Sequence, residues 1–407
     1  MISSYRPFYN WAELSRLLRP GPGREAFEAA LAERAGARYG LAFSYARSGL
    51  VALFKALGFE QAEIIMPAYT CSSVAEAVVF SGNKPLFVDI DLADYNINIQ
   101  AIKSALTPQT RAIIATHMFG YPVDVAAIRA EVGDERIMII EDAALALPTR
   151  LTGGDVLVFS LGQGKQLYTI SGGVVVTNSS QLYEQLKTYR SRAMNQRPNS
   201  VWARRCGQIG TAYLAQSGRI EEQLVRLKNM GPVKQARANV GLVRQKIPHD
   251  YNVAFSDFQA RLGLAQLAKL DTVLERARAR AQFYGHALQD MAGVTPPPLH
   301  AQATYAYYSV RVAGRDRLRL IQRMRERGIE VGRNFDYALP GLEVYRGYAQ
   351  GRSFPNAEQA AREVINLPNY PGVTAQEAGY IVESIRHIMQ AQEESHEPIT
   401  HPSHQSV

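Results

Sequence analysis

The chain has 407 residues, 46% of them apolar and 20% charged, which excludes a disordered, collagen-like or coiled-coil protein and allows two or three domains. Its two cysteines, Cys71 and Cys206, stand far apart, so a disulfide framework or a Cys-rich zinc module is excluded and a reducing compartment is expected. The formal charge of +8 is concentrated in residues 201–250, where nine Lys and Arg, among them Arg204, Arg205 and Lys246, face three acids. Such a block is either a solvated helical face or a contact for an anionic partner: a nucleotide diphosphate, an acidic membrane surface or nucleic acid.

Met1 to Trp11 is polar and aromatic and lacks the apolar core of a secretion signal. No window reaches the apolar length of a membrane span, so a cytoplasmic protein is expected. Strand candidates follow at Tyr39–Ser44, Glu63–Met66, Pro85–Asp89, Ala112–Thr116, Ile137–Ile140, Val156–Ser160 and Gly173–Thr177. Amphipathic helices such as Ser48–Leu57 and Val74–Phe80 separate most of them. This alternation predicts an α/β fold with a mostly parallel seven-stranded sheet covered on both faces.

From Asn178 to about Lys246 the pattern is helical. Ala254–Gly293 then reads as a helix pair, Tyr305–Val312 alternates like an edge strand, and Arg315–Gly328 is a helix stopped by its glycine. Gln392–Val407 is polar and reads as a disordered tail. The expected division is a large domain over 1–250, a smaller α+β domain over 251–391, and the tail over 392–407.

Ligands of such sheets bind beyond the carboxyl ends of the strands, so the polar residues there are the candidates for chemistry. Ser48-Gly49 opens an apolar helix after the first strand: Ser is a good N-cap, Gly permits close approach, and free amides at a helix N-terminus bind phosphate. Asp142, after the apolar run Ile137–Ile140, could pair with a cation or a protonated ring nitrogen in the crevice. Lys165 lies in the Gly-flanked loop Ser160-Leu161-Gly162-Gln163-Gly164-Lys165, ahead of Ser171-Gly172-Gly173. The loop lacks the spacing of a nucleotide phosphate loop, since Gln166 follows the lysine. It suits a Schiff-base lysine, because a desolvated amine loses its proton easily and attacks carbonyls. Each motif alone also has a plainer reading: a capped helix, a helix-capping Asp, a loop Lys. Their order, phosphate helix then aspartate then serine and lysine on successive strand ends, is the layout of a pyridoxal phosphate (PLP) site.

In this order the chain resembles the DegT/StrS-type sugar aminotransferases, of the aspartate aminotransferase superfamily of fold type I PLP enzymes. The resemblance runs from about Gly21 to Met389. It is carried by Ser48-Gly49 with Ala52-Leu53, Met66-Pro67-Ala68-Tyr69-Thr70, Pro85-Leu86-Phe87-Val88-Asp89, and His117-Met118-Phe119-Gly120. Glu141-Asp142-Ala143-Ala144, Tyr251-Asn252, Ser256-Asp257-Phe258-Gln259 and Leu367-Pro368-Asn369-Tyr370-Pro371-Gly372 extend it.

The resemblance implies that Lys165 links covalently to the cofactor and later moves a proton, and that Asp142 pairs with the pyridinium nitrogen. Ser160, five residues before the lysine, and the Ser48-Gly49 amides would bind the cofactor phosphate. Asn252 would reach that phosphate from the neighbouring subunit of a homodimer. The implied activity moves an amino group from an amino acid, with glutamate the expected donor, to a keto-sugar nucleotide in surface-glycan or secondary-metabolite biosynthesis. The basic block would then face the diphosphate or a membrane, and nucleic acid is disfavoured. Three positions depart from the family pattern: Leu145 for Gln, Cys71 for an aromatic ring, and Asn334 for His. The alternatives are a PLP sugar dehydratase, whose relatives carry His at the lysine position, and a non-catalytic regulator. Lys165 argues against the first, and the intact Lys165, Asp142 and Ser160 set against the second.

Overall fold

Short runs rich in Val and Ile, bounded by polar turns, become the strands of one sheet, as buried β-branched residues favour. The computed structural model describes residues 1–6, 8, 9, 13, 15, 21–147, 149–194, 207, 250–312 and 316–394. Nearly all of the basic block, with Arg204, Arg205, Cys206 and Lys246, and residues 395–407 of the tail lie outside the described residues. The strands are β1 (Tyr39–Phe43), β2 (Glu63–Pro67), β3 (Lys84–Val88), β4 (Thr110–Thr116), β5 (Met138–Asp142), β6 (Val156–Ser160) and β7 (Gly173–Thr177). They form a seven-stranded sheet in the order β1-β7-β6-β5-β4-β2-β3. The strands from β3 through β6 are parallel, and β7 runs antiparallel to both β6 and β1.

Alternate residues of each strand face opposite sides. Ile113, Ile139, Leu157 and Phe159 pack on one side, under the helices Arg24–Arg34, Ile99–Ala105, Val125–Val132 and Asp257–Leu267. Ile114, Ile140, Val156 and Val158 face the other side, under the helices Ala46–Ala56 and Ser72–Phe80. By the same alternation Thr116, Asp142 and Ser160 belong to this second face.

The core on that face continues into a second, antiparallel sheet of β8 (Val294–Thr295), β9 (Tyr308–Val312) and β10 (Val364–Leu367), in the order β10-β9-β8. The expected edge strand is therefore central. Its polar positions, which read as a solvent face, are paired instead: Asn366 donates to the Ser309 hydroxyl (2.9 Å), and Arg311 meets Glu363 (3.4 Å). The closing segment Leu367–Gly372 is held by Arg280, a buried guanidinium on the helix Leu270–Leu288. It donates to the side chain and carbonyl of Asn369 (3.1 Å each) and to the Val373 carbonyl (3.2 Å). The helix Ala375–Glu394 takes in Gln392, so the tail begins later than the polar composition suggested.

Candidate active site

Strand register brings the predicted residues to one edge. Thr116 stands opposite Asp142, Asp142 opposite Val158, and Ser160 opposite Gly173, which in turn faces Phe43. The carboxyl ends of β1, β4, β5 and β6 thus share one rim with the start of β7. Lys165 projects from the loop that joins β6 to β7.

Asp142 is the last residue of β5, and the backbone turns after it rather than entering a helix, so its carboxylate caps no helix. Burial pushes that carboxyl above the usual range, while the Ala144 amide (3.0 Å), Lys165, His117 and the Thr116 hydroxyl draw it back. Burial pushes the Lys165 amine below its usual value, opposed by Cys71 and Asp142. An amine and a carboxylate that influence each other at a strand end are candidates for covalent and proton-transfer chemistry.

His117 and Glu141 form a second buried pair beside Asp142. The Val123 amide donates to His117 Nδ1 (3.1 Å), so the ring proton sits on Nε2 and is donated to Glu141 Oε2 (3.1 Å). Glu141, fully buried on the opposite face of β5 from Asp142, also accepts from the Gly154 (2.9 Å) and Thr152 (3.2 Å) amides. The His117 amide donates to the Asp142 carbonyl (3.0 Å), which ties the pair to the strand end. Neither His117 nor Glu141 carried a role in the sequence reading, although both lie in quoted motifs. Their signal is a His and an acid on successive strand ends, and it says nothing of which partner each will find.

The helix expected to bind phosphate starts elsewhere than the sequence suggests. It starts at Ala46, not Ser48, with extended Tyr45 as the residue before it. Its first intrahelical bond runs from the Gly49 amide to the Tyr45 carbonyl (3.2 Å). The Gly49 amide is therefore used, and the first-turn amides ahead of that bond belong to Ala46, Arg47 and Ser48. Gly49 serves packing: a Cβ there would stand 2.7 Å from Val175. The Ser48 hydroxyl does not cap the helix. With the Ser44 hydroxyl it donates to the Tyr251 carbonyl, at 2.9 Å from Ser48. The predicted Tyr251-Asn252 element therefore docks on the helix Ala46–Ala56 of its own chain.

The departing residues lie around the same rim. Cys71 is half-buried at the head of the helix Ser72–Phe80, near enough to Lys165 to influence its charge. Leu145 is buried, and its carbonyl accepts from Thr304 (3.3 Å). Asn334 is half-buried and close enough to Tyr307 to influence its hydroxyl, and its side-chain nitrogen has no hydrogen-bond partner among the described residues. Among the described residues no group of three or more His, Cys, Asp or Glu could hold a metal, and no helix is long and apolar enough to cross a membrane.

Known proteins are similar to the chain over most of its length. The chain is 26% identical over 389 residues to the spore coat polysaccharide biosynthesis protein SpsC of Bacillus subtilis, covering 91% of each. Among solved structures, the aminotransferase TlmJ from Streptoalloteichus hindustanus matches with a TM-score of 0.76 at 24% identity, over 97% of this chain and 100% of that one. Helicobacter pylori PseC, an aminotransferase involved in the biosynthesis of pseudoaminic acid, matches with a TM-score of 0.76 at 20% identity, over 96% and 99%. These two likenesses establish the fold. The model of the DegT/DnrJ/EryC1/StrS aminotransferase family matches residues 8–386, a span that takes in the lysine loop, the Asp142 strand end and the helix at Ala46. With the sheet, its rim and this match in agreement, the chain belongs to the DegT/DnrJ/EryC1/StrS aminotransferase family.

Proposed function

We propose that the chain transfers an amino group from an amino acid, glutamate in the first instance, to the keto group of a nucleotide-linked sugar. Family membership makes it a PLP-dependent aminotransferase; the substrates and residue roles are our reading. One observation carries it: half-buried Lys165, the buried carboxylate of Asp142 and the helix N-terminus at Ala46–Ser48 lie on one rim, with the Lys165 amine and Asp142 close enough to influence each other. That donor set fits the cofactor group by group, an amine for its aldehyde, an acid for its ring nitrogen and amides for its phosphate.

When bound, PLP supplies an electron sink for the substrate carbon that carries the amino group. Asp142 would hold the proton on the ring nitrogen, because an ionised carboxylate in a buried site favours a cation beside it. Lys165, its proton easily lost through burial, would hold the cofactor covalently at its aldehyde carbon, whose oxygen leaves as water, and would carry a proton at the reacting carbon. The amides of Ala46, Arg47 and Ser48, with the Ser160 hydroxyl, would bind the phosphate, and Asn252 would reach it from a neighbouring subunit. The name of the SpsC relative supports a role in polysaccharide building.

The reading is tested with a panel of keto-sugar nucleotides and amino donors, read by product mass. A mass change of one carbonyl to one amine, with matching loss of amine from glutamate, supports it. Amination of free amino-acid keto acids alone, with every sugar nucleotide inert, overturns the acceptor.

A further inference from the structure

Residues 161–172, between β6 and β7, form no helix or strand, yet side chains from distant elements meet them along their length. Gln259 donates to the carbonyls of Thr169 (3.1 Å) and Ser171 (2.7 Å). Gln266 accepts from the Tyr168 amide (2.9 Å) and donates to its carbonyl (2.6 Å), to which Tyr9 also donates (2.8 Å). The loop's own Gln166 accepts from the Leu147 amide (3.2 Å) and donates to the Thr304 carbonyl (3.3 Å).

At the centre of the loop two phenols act on successive peptide groups. Tyr307 donates to the Gly164 carbonyl (3.0 Å), and Tyr5 to the Lys165 carbonyl (3.4 Å). These two carbonyls belong to the peptide planes on either side of the Lys165 Cα. Since each plane is rigid, holding both fixes φ and ψ of Lys165 and so the direction of its Cα–Cβ bond. Gly164 is shaped for this contact: its φ is +82°, and a Cβ there would stand 2.3 Å from the Tyr307 hydroxyl. Burial pushes the Tyr307 hydroxyl up to about 12, so it remains a neutral donor at working pH. Tyr307 directly precedes β9, whereas Tyr5 follows a segment that bridges to Ile329 through Ile2.

We propose that Tyr307 and Tyr5 are positioning residues, a pair of phenol clamps that aim Lys165 by fixing the two peptide planes flanking it. The proposal rests on Lys165 being the reacting amine. A lysine side chain is long and flexible, so without a fixed origin its amine spends less time in reacting geometry. It also reaches water more often. The groups that face it, Asp142 from β5 and Cys71 from the head of the helix Ser72–Phe80, stay in place.

The test compares wild type with Tyr307→Phe, Tyr5→Phe and the double variant, each keeping its ring. In cofactor-free protein, the pH midpoint for acylation of Lys165 by a limiting reagent is read by peptide mass. In holoenzyme, kcat and KM for the amino donor are measured. We expect the midpoint to rise toward that of a free lysine, by about one pH unit in the double variant. We expect kcat to fall about ten-fold while KM stays within about two-fold. Unchanged midpoint and kcat in folded variants overturn the clamp, even if thermal stability drops, because that pattern is a packing role alone. If the double variant does not fold, the single variants decide by the same two readouts. A wild-type protein in which Lys165 forms no borohydride-stable link to PLP instead sinks the underlying assignment, whatever the Phe variants do.

Discussion

Gly173 lies against Ala46: a Cβ on Gly173 would stand 2.2 Å from the Ala46 amide nitrogen and 2.3 Å from its Cα. The start of β7 and the start of the helix Ala46–Ala56 are thus in backbone contact, and only a residue without a side chain permits it. Gly173→Ala must push the helix terminus outward, since backbone cannot yield as a flexible side chain can. PLP affinity should fall at least ten-fold, about 1.4 kcal/mol. A fluorescence titration of cofactor-free protein checks this, and wild-type affinity would separate the Ala46 amides from the phosphate.

Asp142 is raised by burial, so its ionised form is less stable folded than unfolded. The sign follows from proton binding. Between the unfolded value of 3.8 and the higher folded one the native state holds more protons, so stability falls as pH rises through that window and stays lowered above it. Asp142→Asn keeps an oxygen for the Ala144 amide and removes the charge. Cofactor-free Asp142→Asn should therefore melt higher than wild type at pH 8, with the difference closing toward pH 4. The same variant should lose turnover by orders of magnitude, since an amide cannot hold the ring proton. Melting curves that differ equally at both pH values would contradict the buried-charge origin.

Glu141 accepts from Gly154, Thr152 and His117 while fully buried. Glu141→Ala strands those donors and should cost roughly 3 kcal/mol in denaturant unfolding. Glu141→Gln should cost less, because its oxygen still accepts from Gly154. An Ala variant within about 0.5 kcal/mol of wild type would show that water or rearrangement replaces the carboxylate.

Much of the large sheet is legible in apolar runs: Val156–Ser160 and Gly173–Thr177 are strands over the residues expected, because a strand buried on both faces has few polar interruptions. The rim position of Asp142 was legible for the related reason that a polar residue at the end of such a run falls there, whereas Lys165, five residues past β6, was singled out by its Gly-flanked loop. The start of the phosphate helix was not. A Ser beside a Gly mimics a cap, whereas the hydroxyls of Ser44 and Ser48 are spent on the Tyr251 carbonyl, a partner more than two hundred residues away. The central place of β9 was hidden likewise, since Ser309 looks exposed until Asn366 is seen to pair with it. Tyr5, Tyr307 and Arg280 act through contacts that span the chain, and no local pattern announces them.

Asn252 is proposed to serve a neighbouring subunit's phosphate. Asn252→Asp would set a carboxylate against that phosphate and should be nearly inactive. Mixed with Lys165→Ala under subunit exchange, each heterodimer would hold one site with both residues intact, and activity should return toward a quarter of wild type, by random pairing. Heterodimers shown by mass to be present yet inactive would place Asn252 in its own subunit's site, beside the Ser48 contact of Tyr251, or away from the cofactor.

Whether Lys165 is the amine that carries the cofactor is decided most directly by borohydride reduction of the PLP-loaded protein, followed by peptide mass mapping. Wild type should show one pyridoxyl adduct, on Lys165. Lys165→Ala should show none, lose the visible absorption band and have no turnover. A stable adduct on another lysine of wild type, or an adduct and turnover that persist in Lys165→Ala, would contradict it.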